Sequence, residues 1–188
     1  MSMYNSMKTT FRSEYKERSD VYKARITKWN SEAPIFRVEK PTNIARAREL
    51  GYKAKQGVII VRVQVRKGTA KRHAPAGGRK PSKAGRFYSY AKSSQAVAEE
   101  RAARKFINCE VLNSYFVGDS GSKKFYEVIL IDRESPVIQS TPEYMQVLSQ
   151  KNRVFRGLTY AGRSHRGITR KGFGTETLRP SVRQNRRG

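Results

Sequence analysis

VIIVRVQVR, residues Val58–Arg66, is the stretch that determines the architecture of this 188-residue chain. Apolar and polar side chains alternate from Ile59 onward, which places the valines on one face and Arg62, Gln64 and Arg66 on the other. Alternation with a period of two is typical of a strand that is buried on one face only. We therefore expect a half-buried strand with a cationic face toward solvent.

Two further apolar runs, at residues 109–117 and 125–131, follow later in the chain. The connection between them, GDSGSKK, contains glycine and aspartate, which are typical of the turn in a β-hairpin. These runs predict two more strands, joined as a hairpin. Glu127 lies inside the second run, where it either faces solvent or pairs with a lysine.

A helix is predicted between the first strand and the hairpin, over residues 91–108, with Ser93 or Ser94 as its N-cap. Its buried side is marked by small or aromatic residues four apart: Ala98, Ala102 and Phe106. Another strand or helix is expected within residues 135–150. The predicted fold class is therefore α+β, a small mixed or antiparallel sheet with packed helices, in a core that spans residues 51–150.

The N-terminal region, residues 1–50, is predicted to be helical. Apolar side chains at intervals of three, four or seven form one stripe along it: Tyr4, Met7, Phe11, Tyr15, Tyr22, Ile26 and Trp29. Ser19 and Asp20 favour a break and a second helix start, and a short third helix is predicted over residues 42–50. We expect the aromatic stripe to pack against protein rather than to stack on bases.

Positive charge is concentrated in two segments of the chain. Of the 40 Lys and Arg residues, 20 lie in residues 58–90 and 151–188, where the only acidic residue is Glu176. Concentrated charge of one sign repels itself unless a polyanion offsets it, and nucleic acid is the densest polyanion that a soluble protein meets. The charge pattern predicts a nucleic-acid partner, with a merely solvated basic face as the less favoured alternative.

Residues 67–86, KGTAKRHAPAGGRKPSKAGR, have almost no large apolar side chain and cannot bury enough surface to offset the entropy of ordering. We therefore expect a basic arm at residues 67–90, which interrupts the core and orders when a partner neutralises it. Its candidate phosphate contacts, assigned on charge alone, are Lys67, Lys71, Arg72, Arg79, Lys80, Lys83 and Arg86.

Outside these two segments, basic residues also occur in and after the predicted short helix. This helix projects Arg46 and Arg48, and the loop GYKAKQG at residues 51–57 follows it. The loop places two lysines, a tyrosine and an amide between glycines, whose small size lets a backbone approach a phosphate closely.

The other of the two acid-poor segments is the C-terminal extension, residues 151–188. Glycine recurs every five residues from Gly157, a period that fits neither helix nor strand. We interpret this segment as an extended or turn-rich chain along an anionic surface, or else as a tail that binds nothing in particular. Its candidate phosphate contacts are Arg156, Arg163, Arg166, Arg170, Lys171, Arg183 and Arg186.

The sequence gives little support for a disulfide, a metal site or a catalytic acid pair. Cys109 has no second cysteine to pair with, and with only His73 and His165 beside it a zinc site lacks plausible ligand spacing. Glu99 and Glu100 are adjacent on a helix and do not converge as an acid pair. We predict no catalytic residue, metal, cofactor or small-molecule substrate.

The apolar runs are short and the N-terminus is polar. No run approaches the roughly 20 residues that span a bilayer, and the first residues lack the features of a secretory signal. We therefore expect no membrane partner and a cytoplasmic location.

Five motifs give the chain a close resemblance to a known family. They are LGYKAKQG at residues 50–57, VAEERAAR at 97–104, VLNSYFVGD at 111–119, FYEVILID at 125–132 and RGLTYAGRSHRG at 156–167. Nearly end to end, the sequence resembles the large-subunit ribosomal protein family numbered fifteen-e, which archaea and eukaryotes share. The ending LRPSVRQNRRG is similar to the archaeal branch.

The resemblance implies a structural role in the large ribosomal subunit and no catalysis. It implies binding of 23S ribosomal RNA and of neighbouring ribosomal proteins, by an α+β core with N-terminal helices and long basic RNA-binding extensions. Letter-by-letter matches to the motifs carry RNA contacts over to Tyr52, Lys53, Lys55, Gln56, Arg156, Arg163, Arg166 and Gly167.

Two other functions remain open from the sequence. A protein that compacts nucleic acid without sequence preference would have a similar charge. A basic ribonuclease would use His73 and His165 as acid and base, although both lie in acid-poor segments that offer no carboxylate to orient an imidazole.

Overall fold

The computed structural model describes residues 2–68, 77–78 and 92–169. Within them the chain forms, in order, α1 (Met3–Glu17), α2 (Asp20–Ser31), β1 (Ile35–Val38), α3 (Ile44–Glu49), β2 (Val58–Arg66), α4 (Ser94–Lys105), β3 (Cys109–Asp119), β4 (Lys123–Asp132), α5 (Pro136–Gln139), α6 (Pro142–Leu148) and α7 (Tyr160–His165). The four strands form one antiparallel sheet in the order β1-β2-β4-β3. The predicted α+β class is confirmed.

Helices cover both faces of this sheet. On one face, aliphatic side chains of the sheet pack against alanines of α4: Val61, Val63, Val111, Val128, Leu130, Ala98 and Ala102. On the other face the core is more aromatic and brings in α2 and α3: Trp29, Ala47, Tyr115, Val117, Phe125 and Ile129. A third cluster attaches α5 and α6 to the end of β4: Ile131, Ile138 and Tyr144.

The polar face of β2 is buried, so the prediction of a solvent-facing cationic side was wrong for most of the strand. Arg62 and Gln64 are each only 6% accessible, and only Arg66 at the strand end is exposed. Trp29 of α2 covers Arg62, with the guanidinium carbon 4.4 Å from the centre of the indole ring. Gln64 donates from Nε2 to the carbonyl oxygens of Trp29 and Glu32, at 2.6 and 2.9 Å. The alternation in β2 marks a buried polar layer under α2.

The N-terminal helices form as predicted, with one additional element. Ser19 caps α2 by accepting a hydrogen bond from the backbone N–H of Tyr22 at 3.3 Å, and Arg18 ends α1 in a left-handed conformation with φ 54°. The additional element is β1, which pairs antiparallel with β2. The sequence did not predict β1, because its four residues after Pro34 are too few for a period of two to stand out.

Helix α4 and the hairpin also agree with the sequence. Ser93 caps α4 by accepting a backbone hydrogen bond at 3.2 Å, and Ala98 and Ala102 are fully buried. Pairing in the hairpin extends to Asp119 opposite Lys124, which makes the turn shorter than predicted.

The chain after the sheet is mainly short helices and turns. Residues 135–150, where a strand or helix was expected, form α5 and α6. The expectation of an extended or turn-rich chain holds for the turns at residues 151–157 but is wrong for α7. Thr159 caps α7 by accepting a hydrogen bond from the N–H of Gly162 at 3.2 Å. This helix was not predicted from the sequence because it contains Gly162, and glycine is a poor helix former.

Candidate nucleic-acid interface

The loop GYKAKQG, which connects α3 to β2, is held against α5 and α6. Gly57 has a φ of +90°, and a Cβ atom there would lie 2.6 Å from Cγ1 of Ile138. Only glycine fits this conformation and this close contact. The hydroxyl of Tyr144 donates to the carbonyl oxygen of Gly51 at 2.8 Å. The loop therefore presents its side chains from a fixed backbone.

The four predicted contact residues of this loop differ in how available they are. Lys53 pairs with Glu143 across 2.5 Å, and Lys55 donates to a hydroxyl oxygen at the start of α6 at 3.2 Å. Both lysines are exposed, and an exposed ion pair contributes only about 0–1 kcal/mol, so a phosphate can replace these partners. Gln56 is exposed as well, whereas Tyr52 is half-buried and packs against the aromatic core.

Helix α3 carries both predicted arginines on its surface. Asn43 caps the helix by accepting a hydrogen bond from the N–H of Arg46 at 2.9 Å. Arg46 pairs with Glu49 at 2.9 Å, and the guanidinium of Arg48 lies 5.6 Å from the centre of the Tyr4 ring. Because α3 leads directly into the GYKAKQG loop, the two arginines extend the basic surface of that loop.

Lys67, the first residue of the predicted arm, is paired within the protein. Its Nζ lies 2.5 Å from Oδ2 of Asp119 and 2.6 Å from the carbonyl oxygen of Ser120. Arg18 and Tyr15 donate to the same carboxylate. Burial opposes the ionisation of Asp119, but the hydrogen bonds from these three side chains lower its pKa below the ordinary value. This geometry favours an anchor to the hairpin turn over a free phosphate contact.

The C-terminal motif RGLTYAGRSHRG folds as a tight turn followed by α7. Gly157 has a φ of +66°, and Nη1 of Arg166 donates to its carbonyl oxygen at 3.1 Å. A Cβ atom on Gly162 would lie 2.7 Å from Cα of Gly157, so the helix reaches the turn only because residue 162 is glycine. The five-residue spacing of Gly157 and Gly162 therefore allows their backbones to pack against each other. Arg156 and Arg163 are exposed, whereas Arg166 is half-buried in the turn.

Glu99 of α4 holds the start of α7 in place. Its buried carboxylate accepts hydrogen bonds from the hydroxyls of Ser114 and Thr159, each at 2.5 Å. Burial raises the pKa of Glu99 above the ordinary value, against the opposing effect of these hydrogen bonds. Glu100, by contrast, pairs with Lys92 at 2.6 Å. The two adjacent glutamates therefore have different partners. Glu99 connects α4 to β3 and to the start of α7, whereas Glu100 forms an ion pair.

A second buried polar cluster connects the sheet to the N-terminal region. Arg62 pairs with Glu32 at 2.8 Å and with Glu127 at 3.3 Å, and Glu127 also accepts hydrogen bonds from the hydroxyls of Thr42 and Tyr115. From the sequence, Glu127 was expected either to face solvent or to pair with a lysine. In the structure it is buried and pairs with an arginine, Arg62. In the sequence, this pair was indicated by a single charged residue in the middle of each of two apolar runs, Arg62 in one and Glu127 in the other.

Most acidic side chains of the described residues form ion pairs with Lys or Arg residues of the same chain. Those in ion pairs are Glu14, Asp20, Glu32, Glu49, Glu100, Glu110, Asp119, Glu127 and Glu143. Because basic residues greatly outnumber acidic ones, this internal pairing leaves a cationic surface.

Ten of the 21 predicted contacts lie outside the residues that the structure describes: Lys71, Arg72, Arg79, Lys80, Lys83, Arg86, Arg170, Lys171, Arg183 and Arg186. His73, one of the two histidines of the ribonuclease hypothesis, lies outside them too. His165 is at the end of α7, with Nδ1 3.1 Å from the carbonyl oxygen of Ala161.

Across residues 2–68, 77–78 and 92–169, no cluster of three or more His, Cys, Asp or Glu side chains has the arrangement of a metal site. In the same part of the chain, each helix is too short or too polar to cross a bilayer.

A small α+β core from which the GYKAKQG loop and helix α3 present basic side chains is the arrangement expected of a nucleic-acid-binding protein. Over residues 2–185 the chain matches the family described as Ribosomal L15. It is 46% identical over 187 residues to the large ribosomal subunit protein eL15 of Nanoarchaeum equitans, covering 98% of each chain. It is 50% identical over 162 residues to the protein of the same name from Halobacterium salinarum, covering 85% of this chain and 83% of the relative. The chain therefore belongs to the eL15 family, which confirms the resemblance, and both relatives are archaeal, as the ending of the sequence indicated.

Proposed function

We propose that this chain is a structural constituent of the large ribosomal subunit, where it binds 23S ribosomal RNA and contacts neighbouring ribosomal proteins in the cytoplasm. The observation that carries the proposal is the similarity to eL15 relatives along nearly the whole chain. The formal net charge of +25 and the internal pairing of the acids support it, since both favour a polyanionic partner. The proposed role involves binding and no chemical step.

Binding is proposed to use the side chains that face solvent on ordered elements. These are Arg46, Arg48, Lys53, Lys55, Gln56, Arg156 and Arg163. Since their backbones are fixed by caps, glycine contacts and the core, little conformational entropy is lost when they meet a phosphate. For Tyr52, Lys67 and Arg166, which make contacts within the protein, we propose that they position these basic segments.

The acid-poor segments 67–90 and 151–188 are proposed to extend this interface. Folded RNA is recognised mainly through its shape, backbone and unstacked bases, and segments rich in Arg and Gly suit such irregular surfaces. Each phosphate that they neutralise releases counterions, so that binding depends steeply on salt. The folded core fixes where the two segments begin.

A competition experiment separates this proposal from nucleic-acid compaction without preference. Labelled 23S ribosomal RNA bound to the chain is challenged at fixed salt with unlabelled 23S RNA or with duplex DNA. We expect the RNA to compete at least about tenfold better, because specific sites exceed non-specific ones by large factors. Equal competition would support the compacting protein. Cleavage of the RNA in the same samples, lost in His165→Ala, would support the ribonuclease.

A deletion tests the role proposed for the arm. Replacing residues 69–86 by a short Gly-Ser linker leaves the end of β2 and its neighbours intact. The variant should unfold in urea like the full chain but incorporate less well into reconstituted large subunits. Unchanged incorporation would show that the arm is dispensable.

A further inference from the structure

A groove of about 670 Å³ opens where α1, α3, β3 and α7 meet. Cavities that hold small molecules in proteins measure about 300–1,000 Å³, so one nucleotide can enter this groove. Phe11 and Tyr15 of α1, Phe116 of β3 and Tyr160 of α7 contribute to its lining. The sequence did not indicate this groove, because the aromatic residues of α1 were assigned to the core and Phe116 and Tyr160 are far from them in the chain.

Aromatic rings in this groove are open to solvent. Phe116 is 39% accessible and Tyr160 is 61% accessible. The rings of Tyr15 and Phe116 meet edge to face, with centroids 5.6 Å apart and planes at 87°. This contact orients Phe116 before any ligand binds. An exposed and preoriented ring is a platform on which an unstacked base of any identity can stack.

The rim of the groove is basic. Lys8, Arg12 and Arg46 contribute to the lining, and Glu49 is the one acidic residue among the described residues that do so. Hydrogen bonds from Lys8 and Arg46 lower the pKa of Glu49, which is therefore ionised and neutralised by two cations. Arg12 is exposed and forms no ion pair within the described part of the chain. The rim thus has an excess of positive charge for a phosphate.

Two amide side chains, Asn43 and Gln95, complete the polar part of the lining. Gln95 donates from Nε2 to the carbonyl and hydroxyl oxygens of Ser114, both at 2.9 Å, which fixes its orientation. Because both N–H groups of Gln95 donate to Ser114 and Oδ1 of Asn43 caps α3, the groups left for the edge of a nucleobase are the Gln95 side-chain oxygen, an acceptor, and the Asn43 amide N–H groups, which are donors.

We propose that this groove binds one unstacked nucleotide of single-stranded RNA, with the base against Phe116 and Tyr160 and the phosphate at Lys8 and Arg12. The proposal rests on the proposed function and specifies the form of RNA that one part of the surface recognises. The excess of cations at the rim favours a nucleotide over an apolar segment of a neighbouring protein as the occupant.

The test uses the full chain and a short single-stranded RNA that contains 2-aminopurine, a base whose fluorescence falls when it stacks. We expect fluorescence to fall on binding. Tyr160→Ala and Phe116→Leu should each weaken binding at least about fivefold and reduce the quenching, because each removes a stacking ring. Arg12→Gln should weaken binding without changing the quenching at saturation. Phe36→Ala, a matched control with a 42% accessible ring that does not line the groove, should change neither.

Three outcomes would contradict the nucleotide-binding groove or the ribosomal function, and they can be told apart. If Tyr160→Ala and Phe116→Leu behave like Phe36→Ala while all variants bind 23S RNA, the groove inference is wrong and the proposed function stands. If the unaltered chain does not bind 23S RNA, the proposed function is wrong as well. If the groove variants bind RNA normally but large subunits that contain them lose a neighbouring protein, the groove is a protein site. Circular dichroism of each variant confirms that it is folded.

Discussion

Arg62 and Glu127 occupy directly opposed positions of β2 and β4, with Nη2 and Oε1 3.3 Å apart inside the protein. Glu127 is fully buried and Arg62 is 6% accessible. Arg62 also pairs with Glu32 at the end of α2, so the cluster ties the N-terminal helices to the sheet. A buried charge that loses its partner is strongly destabilising, which makes this pair a sensitive point of the fold.

Glu127→Ala is expected to lower the free energy of unfolding by about 3–5 kcal/mol, because it leaves buried Arg62 with Glu32 as its remaining ion-pair partner and takes away the acceptor of the Thr42 and Tyr115 hydroxyls. Glu143→Ala breaks the exposed pair with Lys53 and should cost no more than about 1 kcal/mol. Urea unfolding followed by circular dichroism measures both. Similar small losses in the two variants would show that the Arg62–Glu127 pair is not buried in the folded protein.

Gly162→Ala should destabilise the protein although alanine is the better helix former. At an open helix position, alanine in place of glycine stabilises by about 0.5–1 kcal/mol. Here the added Cβ would lie 2.7 Å from Cα of Gly157, and we expect a loss of about 1–3 kcal/mol from the overpacked contact. In Gly121→Ala the new Cβ meets nothing within 4 Å, and the change should be within about 0.5 kcal/mol. A more stable Gly162→Ala variant would contradict the packing of α7.

Glu99→Gln tests the raised pKa of the buried carboxyl group. Burial raises the pKa of Glu99 in the folded protein, so the folded state keeps this proton at a pH where the unfolded state has lost it. The resulting stability is present below the unfolded pKa and is lost as pH rises through the folded pKa. Relative to Glu99→Gln, the unaltered protein should therefore lose stability as pH rises above the ordinary range of a glutamate carboxyl.

Urea unfolding at a series of pH values measures this difference. Glu134→Gln, which changes an exposed glutamate, serves as the control and should differ from the unaltered protein by a nearly constant amount. A difference for Glu99→Gln that is equally constant with pH would argue against a raised pKa.

Arg163→Gln should weaken RNA binding and make it less sensitive to salt. Arg163 is exposed on α7 and forms no ion pair within the described residues, so its charge is available to a phosphate. Each phosphate contact contributes about 0.7–0.9 to the slope of log affinity against log salt. Lys23→Gln removes the same charge from α2, where Lys23 pairs with Asp20 at 3.1 Å, and should leave the slope unchanged. Filter binding of a 23S RNA fragment gives both slopes, and equal slopes would exclude Arg163 as a contact.

The sequence predicted those parts of the fold whose signals are local. Ser19 and Ser93 cap helices because a hydroxyl at that position satisfies a free N–H group, whatever the rest of the chain does. The four-residue spacing of Ala98 and Ala102 likewise identified the buried side of α4. These patterns act within a few residues and can be recognised without knowledge of the tertiary structure.

The parts that the sequence missed depend on residues far apart in the chain. Arg62 looks like a surface residue until α2 covers it with Trp29, and the partner of Glu127 is known only once the register of β2 and β4 is known. The groove depends on Phe116 and Tyr160 coming together from β3 and α7. Lys67 was predicted to contact RNA on the basis of its charge alone, and its ion pair with Asp119 could not be recognised from the sequence.

Sedimentation in cell extracts measures whether the chain is part of the large ribosomal subunit. An epitope-tagged copy of the chain, expressed in its own organism, is followed through a density gradient at moderate and at high salt. We predict that it sediments with the large ribosomal subunit at moderate salt and is released at high salt, because counterions compete for its phosphate contacts. A chain that stays at the top of the gradient at moderate salt, or that sediments with DNA instead, would contradict its assignment as a structural constituent of the large subunit.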